Sequence, residues 1–261
     1  MSLSAIRVAR LLTTPVKGLR ISPSSQVTLE RGGVRGDRRF FVVDERERMV
    51  NGKRHGALNA VTAQVDDGAE RLTLRFPDGR ELAGAIELGE PRQTSFFSRQ
   101  RPARALLGPF SAALSEHAGA PLALVQPIDG ASAIDRGAQG GVSMISRASL
   151  AALARAAAKP DVDGRRFRMS IELLGLDAHE EDGWIGRQLW LGEARVRIKG
   201  HVGRCLVTSR HPDSGALDLP TLDILRTYRG EAETTEPLAF GVYGGVLREG
   251  VVRVGDAVEL V

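Results

Sequence analysis

The 261-residue sequence contains one cysteine, Cys205. A single thiol cannot close an internal disulfide and is too few for a four-cysteine structural zinc site. It is either a packed, inert thiol or a chemically used one. Free cysteine is among the most buried residue types and commonly just packs. Arg204 beside it, with Arg197 and Lys199 upstream, draws the other way, because cations favour the thiolate that attacks or ligates metal. A reducing cytoplasm is the compartment expected for a chain with so little cysteine.

Other scarcities exclude whole classes. Aromatic residues make up 5% of the chain and the basic residues are dispersed, so stacking platforms and basic patches for nucleic acid are not expected. No apolar run approaches the roughly 18–20 residues that cross a bilayer. Residues 1–8 show no charged start followed by a long apolar stretch, so neither a membrane span nor a signal peptide is expected. A Gly-rich strand-to-helix loop is missing, which argues against a dinucleotide or nucleoside triphosphate site. His55, His117, His179, His201 and His211 form no pair at metal-binding helical spacing. His201 precedes Cys205 by four residues. On a straight strand that places them on one face about 13 Å apart, so a Cys/His pair needs a bend, for which Gly203 is available. The acidic residues 177–182, with His179 among them, read as a solvated loop rather than a cation site.

The length suits one large domain or two modest ones. Net charge is only +4, but arginine dominates the 36 basic side chains, and its rigid fork of donors suits phosphate and other oxyanions. Short alternating or apolar runs predict strands at 5–12, 26–30, 39–44 and 71–76, with Pro77-Asp78-Gly79 turning the chain back into 80–88. Helices are predicted at 109–117, at the alanine-rich 146–159 with Ser146 as cap and Pro160 as stop, and at 219–229. Further strands are predicted at 168–174, 188–191, 193–199, 206–209 and 251–261. Many short strands with few helices predict a mainly β fold with α+β elements, a β-barrel or α+β architecture rather than a doubly wound parallel sheet.

Five polar or glycine-rich segments fall where strands end: Pro15-Val-Lys17-Gly18, Gly36-Asp-Arg38-Arg39, Ser146 at its helix start, Arg165-Arg-Phe-Arg168 and Phe240-Gly-Val-Tyr243. Each alone reads as a turn or solvated charge. Together with Cys205 they supply cations, a helix start and a thiol, the groups that an anionic, phosphate-bearing metal cofactor requires.

The order of several stretches resembles the MOSC domain, the C-terminal module of molybdenum-cofactor sulfurases, whose parent enzymes use pyridoxal phosphate. The stretches are Arg166-Phe-Arg-Met-Ser-Ile-Glu-Leu, Glu181-Asp-Gly-Trp-Ile-Gly-Arg-Gln-Leu-Trp-Leu-Gly, Gly203-Arg-Cys-Leu-Val-Thr-Ser-Arg-His-Pro-Asp-Ser-Gly, Leu222-Asp-Ile-Leu-Arg-Thr-Tyr-Arg and Val251-Val-Arg-Val-Gly-Asp-Ala-Val. Pro15-Val-Lys-Gly and Gly36-Asp-Arg-Arg-Phe-Phe-Val-Val-Asp look like the β-rich domain that precedes MOSC in a subset of members. That subset includes the mitochondrial amidoxime-reducing components and bacterial N-hydroxylated-compound reductases. The resemblance implies a β-rich domain over 1–125 and a MOSC β-barrel over 126–261, with a molybdenum–molybdopterin cofactor between them.

By the same resemblance Cys205 is the metal ligand and catalytic thiol. Lys17, Gly18, Arg38, Ser146, Arg168, Arg204 and Tyr243 are the cofactor-binding residues. Two positions depart from the family pattern: Met169-Ser170 stands where Pro-Asn is common, and Gly203 where serine is common. The implied activity is reduction of small N-hydroxylated or N-oxide compounds. One cysteine cannot hold an iron–sulfur cluster, so electrons are expected from a separate ferredoxin- or cytochrome-like protein. The alternative reading is a carrier that holds the cofactor, or a persulfide on Cys205, without turnover.

Overall fold

Apolar and basic side chains in rough alternation place the first strand, Arg7–Thr13, in a half-buried sheet, and Leu11 and Leu12 in succession bury both of its faces. Burying each of these leucines contributes roughly 1.5–3 kcal/mol. The computed structural model describes residues 5–66 and 68–261. The first four residues of the 1–8 stretch read above lie outside that range.

The largest sheet has eight strands in the order Val258–Leu260, Gln188–Leu191, Ala194–Gly203, Ala239–Arg248, Val142–Ser146, Ile171–Leu174, Arg7–Thr13 and Ser22–Ser24. Neighbours run antiparallel except Val142–Ser146 beside Ile171–Leu174, a parallel pair. A parallel pair needs a crossover, and here it carries an α-helix. The helices among the described residues are α1 (Phe110–Ala118), α2 (Arg147–Ala156) and α3 (Thr221–Arg229). Helix α2 makes that crossover, and Ser146 caps it by accepting from the Ser149 amide at 3.0 Å. Helix α1 ends at Gly119 in the left-handed conformation.

The fold is mainly β with α+β elements, as expected, and among the described residues the sheets are not closed barrels. The eight-stranded sheet has free edges, and a single bridge between Arg7 and Ala257, flanked by Val8 N–H to Asp256 O and Val258 N–H to Ile6 O, ties its first strand to the last hairpin. A second sheet joins Leu88–Phe96, Arg99–Leu106, Leu122–Pro127, Phe40–Asp44 and Val16–Lys17, with Met49–Val50 paired to Phe40–Asp44. Two three-stranded sheets complete the fold. One is the meander Thr62–Val65, Arg71–Arg75 and Glu81–Ala85, and the other places Gly250–Arg253 beside Gln26–Glu30.

The cores show which segments belong together. Val8, Leu11, Val27, Leu29 and Val34 pack with residues between Val142 and Val258. Val16, Phe40, Leu72, Phe110 and Leu124 form a separate core. The segment 126–261 is therefore completed by strands from the first 34 residues, and the chain crosses between the two cores more than once.

One predicted strand is absent. Leu206–Ser209 forms a short 3-10 turn, because the Thr208 amide and hydroxyl both return to the Cys205 carbonyl at 3.0 Å. A threonine bonding locally in this way competes with the sheet ladder. Arg168 likewise starts no strand. It closes the turn Gly164–Phe167 with φ of 55°.

Candidate functional site

Segments distant in sequence meet in a cleft of about 520 Å³. It is lined by Lys17, Gly18, Arg38, Arg168, Arg204, Cys205 and Tyr243, seven of the eight residues singled out from the sequence. Lys17 comes from the short strand Val16–Lys17, Arg38 from the turn before Phe40–Asp44, and Arg168 from the turn after Phe167. Cys205 stands where Ala194–Gly203 ends and the 3-10 turn begins, half-buried in the cleft wall.

The eighth residue, Ser146, does not reach the cleft. It is fully buried, its hydroxyl is taken up by Ser149 and its amide donates to Glu181 at 3.0 Å. Capping consumes the groups that a ligand would need. The Cys/His pair does not form either. His201 is buried, with Nδ1 accepting from the Thr235 amide at 3.1 Å and Nε2 lying 3.8 Å from Asp182.

Three cations gather at one end of the cleft. Lys17 pairs with Asp135 and lies 5.4 Å from the Phe96 ring centroid. Burial lowers its pKa; Asp135 opposes that shift, and Arg38 and Arg168 add to it. Arg38 pairs with the buried Asp37 and donates to the Arg168 carbonyl at 2.8 Å. Burial, reinforced by Arg38, brings Arg168 down to about 10. The Arg168 Nη2 has no hydrogen-bond partner among the described residues. A buried guanidinium with an unused donor is costly until an anion meets it.

Arg204 differs. It donates to the carbonyls of Phe167 and Phe240 at 2.9 Å and to the Met169 sulfur at 3.0 Å, while stacking over Phe167. Burial holds it down at about 9. Its donors are spent on the protein, so it pins the Cys205 turn to the 167–169 segment and leaves its charge beside the thiol.

Several lining residues carried no sequence signal. Asp135 and Arg136 sit in the glycine-rich loop 129–141, and Phe97 is a half-exposed aromatic at a hairpin tip. Arg136 stacks over the Tyr243 ring at 4.5 Å and pairs with Glu236. Arg165 and Arg166, prominent in the sequence, make structural pairs, Arg165 with Asp163 and Asp213 and Arg166, although it also lines the cleft, with Asp218. The site can take a phosphate-bearing anion at its cationic end and present a thiol to whatever the rest of the cleft holds.

Comparison with known proteins fits this architecture. The MOSC domain model matches residues 131–259, and that of the MOSC N-terminal beta barrel domain matches 5–112. The Xenopus laevis protein named mitochondrial amidoxime-reducing component 1 is 36% identical over 124 residues, which is 45% of this chain and 35% of that protein. The human mitochondrial amidoxime reducing component 2 is 38% identical over 99 residues, 35% of this chain and 29% of the relative. The chain thus aligns with about a third of the length of these curated relatives. The YUAD protein of Bacillus subtilis, a solved structure, is 10% identical, with 98% of this chain and 96% of that chain covered at a TM-score of 0.47. With both domain models matched in order along it, the chain belongs to the MOSC-domain proteins that carry the MOSC N-terminal domain.

Proposed function

We propose that the cleft binds a molybdenum–molybdopterin cofactor and that the protein is an oxidoreductase acting on N-hydroxylated or N-oxide compounds, with electrons from a separate ferredoxin- or cytochrome-like protein. The observation that carries this reading is the buried Arg168 Nη2 with no partner among the described residues, in one cleft with Lys17, Arg38 and the only thiol. The residues fit the group. Guanidinium and ammonium donors suit its phosphate, and Cys205 offers the soft anionic ligand that a thiophilic metal takes up.

Lys17, Arg38 and Arg168 would hold the phosphate and neutralise it, and Cys205 would ligate the metal. When bound, the cofactor would supply the two electrons that cleave an N–O bond, its oxygen leaving as water. Arg136, stacked on Tyr243, forms part of the wall beside Cys205, and Phe97 with Ile134 gives the cleft an apolar lip for the body of a small substrate. The names of the relatives, amidoxime-reducing components, support the substrate class. No helix among the described residues is long and apolar enough to cross a membrane. A reducing compartment such as the cytoplasm would keep the cleft thiol free.

The test is metal and pterin analysis of protein expressed with molybdate in a cofactor-making host, followed by turnover of an N-hydroxylated compound with reduced viologen. Bound molybdenum and activity lost in Cys205→Ser, with melting unchanged, are expected. Nicotinamide cofactor alone should give no turnover, because no second redox centre is proposed. Full activity in Cys205→Ser ends the ligand assignment. Sulfane sulfur on Cys205 without metal would establish the carrier reading instead.

A further inference from the structure

The turn that presents Cys205 is held from the side by a carboxylate. The Gly203 amide donates to Glu236 Oε2 at 3.0 Å, and the other oxygen of Glu236 pairs with Arg136. Glu236 therefore joins two walls of the cleft, the 203–205 segment and the loop that carries Arg136 over Tyr243. Its own loop is fixed independently. The His201 amide donates to Thr235 Oγ1 at 2.9 Å, Thr235 N–H returns to His201 Nδ1, and Thr234 Oγ1 donates to the Glu236 carbonyl at 2.8 Å. The side chain can thus be removed without releasing the loop.

Residue 203 is shaped by this contact. A Cβ on Gly203 would fall 2.5 Å from Glu236 Oε2 and 3.2 Å from both Glu236 Cβ and the Pro237 carbonyl. Any side chain there displaces the carboxylate before it meets anything else. Strand ends are where a backbone is freest to shift, so a charge-assisted bond two residues before the thiol sets how Cys205 leaves the strand.

We propose that Glu236 is a positioning residue for Cys205, and that the glycine at 203 is required by Glu236 rather than by the backbone. The inference rests on Cys205 being the reactive thiol of the cleft. Its readout is alkylation of Cys205 by iodoacetamide in cofactor-free protein at one fixed pH, so its failure is separable from failure of the cofactor reading.

Glu236→Ala should change the alkylation rate by about fivefold or more, the scale on which contacting residues couple. Glu236→Gln, which keeps an oxygen for the Gly203 amide, should restore the wild-type rate. Glu236→Asp, one methylene too short to span both partners, should follow Ala and carries the test if the Ala variant fails to fold. Gly203→Ala should disturb the rate and lower the melting temperature in the wild type, and do much less in the Glu236→Ala background. Wild-type alkylation in both Glu236→Ala and Glu236→Asp overturns the proposal. So does a Gly203→Ala effect that is the same with and without Glu236.

Discussion

The Arg38 guanidinium donates to the backbone carbonyl of Arg168 at 2.8 Å, which holds two like-charged residues together although 130 positions separate them. Arg38 also has the buried Asp37 as a partner, whereas Arg168 keeps a donor unused. The protein thus keeps a buried guanidinium donor without a hydrogen-bond partner among the described residues, near Asp37 and Asp135 but bonded to neither. Such an arrangement stores destabilisation that a bound anion relieves.

It follows that cofactor-free protein should be stabilised by inorganic pyrophosphate. An anion at one hundred times its Kd adds about 2.7 kcal/mol, equivalent to roughly 5–10 °C in melting temperature for a chain of this size. Potassium chloride at matched ionic strength controls for screening. Arg168→Gln should abolish most of the shift. A shift of equal size in that variant would remove Arg168 from the anion site.

His179 should make the protein acid-sensitive. Burial, with Arg229 adding to it, brings the imidazole down from its ordinary 6.5 to about 4. The unfolded chain takes up a proton near pH 6.5 that the folded protein refuses until about pH 4. Stability is therefore level above that window and falls as pH drops through it, by up to about 1.4 kcal/mol per unit. Glu181, whose buried carboxyl titrates above its ordinary range, works in the opposite sense, since the folded protein accepts its proton first. His179→Asn isolates the imidazole, and asparagine tolerates the φ of 66° at this position. Urea unfolding from pH 7 to 4 should give a flatter slope in the variant. Parallel curves would show that His179 is not the group responsible.

Gly33 and Gly141 should each resist alanine. A Cβ on Gly141 would lie 2.5 Å from the Gly33 Cα, and one on Gly33 would lie 2.6 Å from the Gly141 carbonyl, where φ is also 121°. Backbone meets backbone, so neither neighbour can rotate away. Each substitution should destabilise by about 2 kcal/mol or more. Gly32→Ala, with nothing within 4 Å, should stay within about 0.5 kcal/mol of wild type. Equal effects at 32 and 141 in chemical denaturation would refute the close approach.

Local patterns were readable where local forces decide. Gln26–Glu30 alternates and is a strand, and the alanine-rich run with a serine before it is α2. Leu206–Ser209 has β-favouring composition, yet two bonds from Thr208 to the Cys205 carbonyl turn it. The same Ser146 that marks the helix start is thereby unavailable to a ligand. Cys205 stands out as the one cysteine and the segments of Lys17, Arg38 and Arg168 as polar strand ends, but their shared role is legible only through the order of whole stretches, since each segment alone reads as an ordinary turn. Asp135 and Glu236 gave no signal, because a lone carboxylate in a loop acquires its role from a partner about 100 or more residues away. Their placement depends on the packing of the two cores, which no window of sequence contains.

The pairing of Arg7–Thr13 with Ile171–Leu174, and of Gln26–Glu30 with Gly250–Arg253, sets a schedule for synthesis. The first strand leaves the ribosome with apolar residues on both faces; Ser22–Ser24 can cover one edge at once, but the other waits for Ile171–Leu174, made more than 150 residues later. At about 5–20 residues per second that interval is on the order of ten seconds, long against the microseconds in which hairpins close. During it the nascent chain carries an unpaired β edge of the kind that recruits other strands. Shielding of that edge during translation, more than the strength of the finished contacts, then sets the yield of correctly folded protein.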